Sequence, residues 1–208
     1  MLKLKDLSYR FSDSNTNILS QINYEFEKGK FYSVVGKSGA GKSTFLSLLA
    51  GLDSPTKGQI LFENEDIKDK GYSYHRRENV SLVFQNYNLI EYLTPMENVR
   101  LVDKDANEEI LLSLGLDKED LNRNVLRLSG GQMQRVAIAR ALSSKAPVIL
   151  ADEPTGNLDA KTASDIIEVF KKLAKSKGKC VIVVTHSKEV SDAADVVLEI
   201  KERRLIQK

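Results

Sequence analysis

Gly36-Lys37-Ser38-Gly39-Ala40-Gly41-Lys42-Ser43 decides the fold, because it fixes a ligand class and the local chain path together. It fits the phosphate-loop pattern G-x-x-x-x-G-K-[ST]. Before it runs Phe31-Tyr32-Ser33-Val34-Val35, a short apolar stretch that predicts a buried strand. After it runs Thr44-Phe45-Leu46-Ser47-Leu48-Leu49-Ala50, a helical pattern that closes at Gly51. Glycines let the backbone curl so that successive N–H groups point inward at phosphate oxygens, and the helix start adds the positive end of its dipole. Lys42 would reach the β- and γ-phosphates, and the Ser43 hydroxyl would ligate Mg²⁺. A glycine-rich turn can match the pattern by accident, but the flanking strand and helix argue against that. The expected ligand is a nucleoside triphosphate.

A second cluster adds hydrolysis to binding. Val148-Ile149-Leu150-Ala151-Asp152-Glu153 reads as an apolar strand ending in two carboxylates. At the C-terminal edge of a parallel sheet it would set Asp152 beside the phosphate loop, where it can hold the Mg²⁺ shell. Glu153 is then placed to polarise an attacking water. A further strand, Cys180-Val181-Ile182-Val183-Val184-Thr185, ends at His186, a polar group able to touch the γ-phosphate. The other histidine, His75, reads as structural.

Leu128-Ser129-Gly130-Gly131-Gln132 opens a predicted helix from Met133 to Leu142. Ser129 is a good N-cap, and Gly130 and Gly131 allow an anion to approach closely, so this is a second helix start suited to phosphate. It lies far along the chain from the phosphate loop. One small domain rarely needs two γ-phosphate sensors, so the economical explanation is that this loop meets the nucleotide held by another copy.

These motifs together resemble the ATP-binding cassette (ABC) ATPases over essentially the whole chain. In that resemblance Gly36 to Ser43, with Thr44, is the Walker A loop; Val148 to Asp152 is the Walker B strand, followed by the catalytic Glu153. Gln85, in Leu82-Val83-Phe84-Gln85, is the glutamine that senses Mg²⁺ and the attacking water. Ser129, Gly130, Gly131 and Gln132 form the signature loop, Asn157-Leu158-Asp159 the D-loop, and His186 the switch histidine. The family's adenine-stacking aromatic is Phe11, with Tyr9 as the competitor. The resemblance implies ATP and Mg²⁺ as cofactors, a homodimer in the ATP-bound state and a membrane permease as partner.

Two stretches narrow the branch. Phe84-Gln85-Asn86-Tyr87-Asn88-Leu89-Ile90, followed by Leu93-Thr94-Pro95-Met96-Glu97-Asn98-Val99, looks like the macrolide-exporter and lipoprotein-release branch, as does Ala151 to Asp159. The segment Tyr72-Ser73-Tyr74-His75-Arg76-Arg77 is closest to small ATPases that serve bacteriocin-export permeases. The branch implies export of a peptide, drug or lipid-like substrate. The alternative is a complex that drives transmembrane signalling or extracytoplasmic mechanical work without transport.

Composition agrees with one domain over residues 1–208. At 208 residues and 41% hydrophobic, the chain can bury a substantial core without splitting. A net charge of +2 suggests no nucleic-acid partner. The single cysteine, Cys180, falls in a predicted buried strand and fits a reducing cytoplasm. No apolar run approaches the roughly 20 residues that span a bilayer, and there is no secretory leader, so a membrane role requires a partner chain. The expected place is the cytoplasm, peripheral at the inner face of the membrane through the permease.

The expected architecture is α/β: a phosphate-loop core, an antiparallel β layer and an inserted helical subdomain at about 86–128. Leu2 to Leu4, Ile18 to Phe26 and Gly58 to Phe62 read as the antiparallel strands. Pro95 to Leu101 and Asn107 to Leu114 read as helices, the second stopping at Gly115. Thr162 to Ala174 predicts an amphipathic helix with Ile166, Ile167, Phe170, Leu173 and Ala174 inward; Lys171, Lys172, Lys175 and Lys177 are its solvated side. The tail Lys201-Glu202-Arg203-Arg204 lacks the glycine through which related chains commonly turn into the last strand; a type I turn could serve there, with no regulatory domain expected after it.

Overall fold

Near-continuous burial along four parallel strands builds the centre of the molecule, which the computed structural model describes over residues 1–208. The strands are β3 (Phe31–Val35), β6 (Val80–Val83), β7 (Val148–Asp152) and β8 (Cys180–Val184). With β9 (Val196–Lys201) and β10 (Arg204–Gln207) they form a six-stranded sheet ordered β10-β9-β3-β8-β7-β6. All neighbours are parallel except β10 on β9. One face carries Tyr32, Val34, Leu150, Ile182 and Val184; the other carries Phe31, Ile149, Ala151, Val181 and Val183. A sheet covered on both sides demands apolar residues at successive positions, which is why these strands read as continuous apolar runs. Cys180 lies in the first face, fully buried, and burial pushes its thiol up to about 12. It is a packing residue.

The first face is closed by a four-stranded antiparallel sheet, β2-β1-β4-β5, made of β1 (Leu2–Tyr9), β2 (Leu19–Phe26), β4 (Lys57–Phe62) and β5 (Glu65–Asp66). The helix α1 (Lys42–Leu49) lies in the same layer, its Phe45, Leu48 and Leu49 in contact with this core. The second face is closed by α5 (Gly130–Ser143) and α6 (Ala160–Lys177), with α7 (Lys188–Ala193) beside them. Between β4 and β6 the chain makes a short turn of helix, α2 (Tyr72–Tyr74), continued as a π-helical turn over His75–Asn79. His75 is 1% exposed there; its Nε2 donates to the Leu49 carbonyl at 3.0 Å and its Nδ1 accepts from Asn79 Nδ2 at 3.2 Å. Burial lowers its pKa, as a structural histidine requires.

Residues 86–128 hold α3 (Pro95–Arg100), α4 (Glu109–Leu112) and a 3₁₀ turn over Val125–Arg127. Thr94 and Glu97 form a reciprocal capping box at the start of α3, with Pro95 in its first turn. The apolar residues of this segment, among them Met96, Val99, Leu111 and Leu121, pack with α5 in the second core.

Helix lengths differ from the sequence expectations by a few residues. α6 begins earlier because Asp159 caps it, its Oδ1 accepting from Thr162 N at 3.0 Å, and it runs on to Gly178 in a left-handed conformation. Those bonds from Thr162 also lower the Asp159 pKa. The tail turn is a correction. Glu202 and Arg203 have φ of 48° and 68°, the pattern of a type I′ turn rather than type I. The right-handed twist of a two-residue hairpin selects that turn even without glycine, at a cost of about 1–2 kcal/mol per left-handed residue. A bond of 2.8 Å from Ser20 N to the Arg203 carbonyl holds it against β2. Glu63 and Asn64 turn the same way between β4 and β5. No helix is long and apolar enough to cross a membrane.

Candidate nucleotide site

The parallel sheet brings four loop starts to one edge. In register, Val34 pairs with Val184, and Val184 with Asp152, so the chain leaves β3, β8 and β7 at the same level. Gln85 follows β6 by two residues at the end of the same sheet. Between these ends lies a cleft of about 560 Å³, lined by Ser38, Gly39, Gly41, Lys42, Ser43 and Thr44 from the phosphate loop. Gln85, Asp152, Glu153 and His186 line its opposite side, and Phe11 and Ile18 close one end. This is the crevice at the carboxyl ends of parallel strands where α/β sheets take ligands.

Glycine is required at two points of the loop. Gly41, the N-cap of α1, has φ of 95°, and a Cβ there would stand 2.7 Å from Ile18 Cγ2. A Cβ on Gly36 would stand 2.8 Å from the Ile200 carbonyl oxygen. The Lys42 side chain folds back over the loop. Its ammonium donates to the carbonyls of Gly36 and Lys37 at 2.9 and 3.2 Å and lies 3.0 Å from His186 Nε2. An ammonium only donates, so His186 Nε2 accepts in this arrangement. Glu153 Oε1, 3.6 Å from the same nitrogen, is therefore left without a hydrogen bond.

Glu153 is held on its other side. Its Oε2 accepts from Thr185 Oγ1 at 3.3 Å and from His186 N at 3.2 Å, and its own N donates to the Val184 carbonyl at 2.9 Å. These bonds keep the residue left-handed, at φ of 46°, with the carboxylate 17% exposed. A strained, carboxylate-bearing position on a cleft wall makes Glu153 a candidate functional group. Asp152 Oδ1 is likewise buried without a partner. Two orphaned carboxylate oxygens in one cleft each forfeit about 1–3 kcal/mol unless a donor, water or cation meets them. Ser43, Gln85 and Asp152 also line one shared cavity of about 500 Å³. This oxygen-rich set fits Mg²⁺, which takes one or two carboxylates together with hydroxyl, water and phosphate oxygens.

Not all the candidate residues meet here. Phe11 is 45% exposed on the cleft wall, whereas Tyr9 is 9% exposed in the first core and meets Phe11 edge-on at 5.3 Å. Gly36, Lys37 and Ala40 lie behind the cleft; Lys37 and Ala40 line a neighbouring cavity with the β9–β10 hairpin. Ser129, Gly130, Gly131 and Gln132 do not line the cleft, and neither does Asp159. Ser129 begins α5 through a capping box: Ser129 Oγ accepts from Gln132 N at 3.2 Å and Gln132 Oε1 from Ser129 N at 2.8 Å.

Sequence reasoning missed several residues around the site. Ile18 and Gly156 line the cleft, as does Asn157 of the expected D-loop. Tyr87 joins three loops: its hydroxyl accepts from Asn157 Nδ2 at 3.2 Å and lies where a Cβ on Gly130 would come within 2.9 Å. Tyr87 and Asn88 are left-handed, at φ of 55° and 50°, and Arg140 of α5 holds both carbonyls, at 3.2 and 2.7 Å. Burial lowers the pKa of that guanidinium. Its partners lie 52 and 53 positions away, so spacing carries no sign of them.

A phosphate loop after the central strand, a carboxylate pair on the next-but-one strand and an antiparallel layer define a phosphate-loop nucleoside triphosphatase of cassette type. The family profile described as ABC transporter matches residues 19–156. The chain is 40% identical over 206 residues to YclH, an uncharacterized ABC transporter ATP-binding protein of Bacillus subtilis; the match covers 94% of this chain and 91% of that one. It is 39% identical over 217 residues to LolD of Rickettsia conorii, the ATP-binding protein of a lipoprotein-releasing system, covering 99% and 97%. The dimeric structure of MJ0796, an ABC transporter cassette from Methanocaldococcus jannaschii, superposes with a TM-score of 0.90 at 36% identity, over 100% of this chain and 98% of that one. MJ0796 is also known in a post-hydrolysis state bound to ADP and phosphate. The chain belongs to the ABC transporter family. It is an ATPase with ATP and Mg²⁺ as cofactors, the ATP-binding subunit of a transporter.

Proposed function

We propose that this ATPase works as a head-to-tail homodimer that drives a membrane permease exporting a peptide, drug or lipid-like substrate. The reading takes residues 1–208 as one cassette with a helical insertion at about 86–128. The observation that carries the dimer is the separation within one chain: the cleft holds the phosphate loop, Glu153 and His186, and the signature loop lies outside it. Each ATP would then sit between Gly36–Thr44 and Gln85 of one chain and Ser129–Gln132 of its partner. The dimeric form of MJ0796 supports this.

In such a site Phe11 stacks on adenine and the phosphate-loop N–H groups receive the phosphates. Lys42 turns from its own carbonyls to the β- and γ-phosphates, and His186 Nε2, no longer accepting from it, then carries the ring proton and donates to the γ-phosphate. Glu153 Oε1, unpaired here, orients the attacking water and takes its proton. Ser43, Gln85 and Asp152 would hold Mg²⁺, which would supply charge neutralisation on the phosphates. Asp159 caps the start of α6 through Thr162, and the loop before it would face the partner.

Similarity to LolD along nearly the whole chain supports the export branch, and the Tyr72–Arg77 segment supports a bacteriocin-export permease. The work place is the cytoplasmic face of the membrane, through the permease. The test is purification of the tagged chain from membranes with its permease, followed by reconstitution in vesicles. ATP turnover stimulated by an apolar peptide or lipopeptide, with movement of that substrate, is the expected result. Turnover indifferent to every such substrate, coupled to rearrangement of an extracytoplasmic domain, would favour signalling instead.

A further inference from the structure

The α5 capping box depends on which end of the Gln132 amide faces Ser129. An amide offers an acceptor at one end and donors at the other, and a capping box works only if the oxygen faces the Ser129 N–H. Gln132 Nε2 donates at 2.6 Å to Oδ2 of Asp120, which is 5% exposed. A carboxylate only accepts, so a reversed amide would set its oxygen against another acceptor. Asp120 is itself fixed. Arg123 Nη1 donates to its other oxygen at 3.1 Å while Nη2 reaches Glu119 at 3.2 Å, and Asp120 N donates to the Asp117 carbonyl at 3.0 Å. The neighbouring Leu121 is buried in the second core with Leu116 and Val125, which anchors the whole turn to the helical segment.

We propose that Asp120 is a positioning residue for the partner's ATP, acting through Gln132. This rests on the composite-site reading above. With the amide locked, Ser129 N and one lone pair of Ser129 Oγ are consumed inside the box. The Ser129 hydroxyl proton and the first-turn N–H groups of Gly130 and Gly131, which have no intrahelical acceptors, remain to meet a γ-phosphate. Asp120 also brings a negative charge near that anion site. The Arg123 guanidinium offsets it, so the carboxylate orients the amide without repelling the phosphate.

The experiment exchanges the two ends of this contact. Asp120→Asn lets the amide reverse. Gln132→Glu sets two carboxylates face to face. The double variant restores one donor and one acceptor. The amide introduced at position 120 can donate to the carboxylate introduced at position 132, whose other oxygen still accepts from Ser129 N. Each is measured for nucleotide affinity as the isolated chain, for the ATP concentration that half-saturates dimerisation in the Glu153→Gln background, and for turnover. All three should bind nucleotide as a monomer within about two-fold of the parent, because the contact lies outside the cleft. Asp120→Asn should raise the half-saturating ATP several-fold. Gln132→Glu should raise it by about ten-fold or more, and the double variant should recover most of that loss. A residue that only stabilised the fold would shift melting without this pattern of loss and recovery.

The proposal is overturned if Asp120→Asn dimerises and turns over ATP at parental concentrations, or if the folded double variant is no better than Gln132→Glu. Ser129→Arg run alongside separates the two failures. If it abolishes dimerisation while Asp120→Asn does nothing, the positioning role alone is wrong. If Ser129→Arg is also harmless, the composite site is wrong with it.

Discussion

The cleft beside the phosphate loop and the start of α5 are both suited to phosphate, yet they are built in opposite ways. The cleft is concave and assembled from residues as distant as Phe11 and His186, joined only because parallel strands end together. Its polar groups are partly unsatisfied: Asp152 Oδ1 and Glu153 Oε1 have no partner, and Lys42 is parked on the carbonyls of its own loop. The start of α5 is made from four consecutive residues; the Ser129 and Gln132 side chains each accept from the other's backbone N–H, and Asp120 accepts from the Gln132 amide. One surface awaits a ligand and a metal; the other is finished and presents only donors. A chain carrying one of each, not facing one another, is half of two sites in the proposed head-to-tail dimer.

The comparison breaks first at the base. Glu153→Gln should keep ATP binding, lose about 10²–10⁴-fold in turnover and accumulate a closed dimer with ATP. A variant hydrolysing near the parental rate would mean that the strained carboxylate of the cleft does not orient water. A smaller effect is expected at the other end of the cleft. Phe11→Ala should weaken ATP binding by the roughly 1–3 kcal/mol of a base–aromatic stack, read by titration with a fluorescent nucleotide. Tyr9→Phe should leave binding unchanged, since that ring packs in the core; the reverse pattern would exchange the two aromatics. The smallest effect concerns His75, which holds the end of α1 through the Leu49 carbonyl and touches neither region. Its pKa is depressed by burial from the ordinary 6.5, so below that pH the unfolded chain takes up a proton that the folded one resists. Stability should therefore fall as pH drops from about 6.5 toward the depressed value. Urea midpoints at pH 7.5 and 5.5 should differ less in His75→Gln, whose amide can keep the donor to the Leu49 carbonyl. An equal difference in both chains would remove His75 from the acid response.

The same contrast explains what was legible in the sequence. The phosphate loop and the Ser129–Gln132 box are local, so their residue types and spacings display their chemistry directly. The strands β3, β7 and β8 were legible because burial on both faces demands unbroken apolar runs. Val80–Val83 was not, being four residues long with Ser81 inside it. Its hydroxyl is satisfied by the Ala141 carbonyl at 2.9 Å, a partner 60 positions away. Arg140 holding Tyr87 and Asn88, Asp120 holding Gln132, and Ile18 against Gly41 are likewise contacts that only the folded chain creates. The tail turn failed for another reason: sheet twist, a property of the pair of strands, outweighed the left-handed cost to single residues.

The claim that the two regions complete each other between chains is tested most directly by mixing two dead variants. Lys42→Ala removes the cleft's phosphate ligand, and Ser129→Arg blocks the start of α5 while leaving the nucleotide affinity of the isolated chain nearly intact. In a head-to-tail heterodimer one site collects both defects and the other has neither. ATP turnover should therefore reappear in the mixture, although each variant alone is inactive. Turnover that stays at background, with mixed dimers shown to form, would contradict the account.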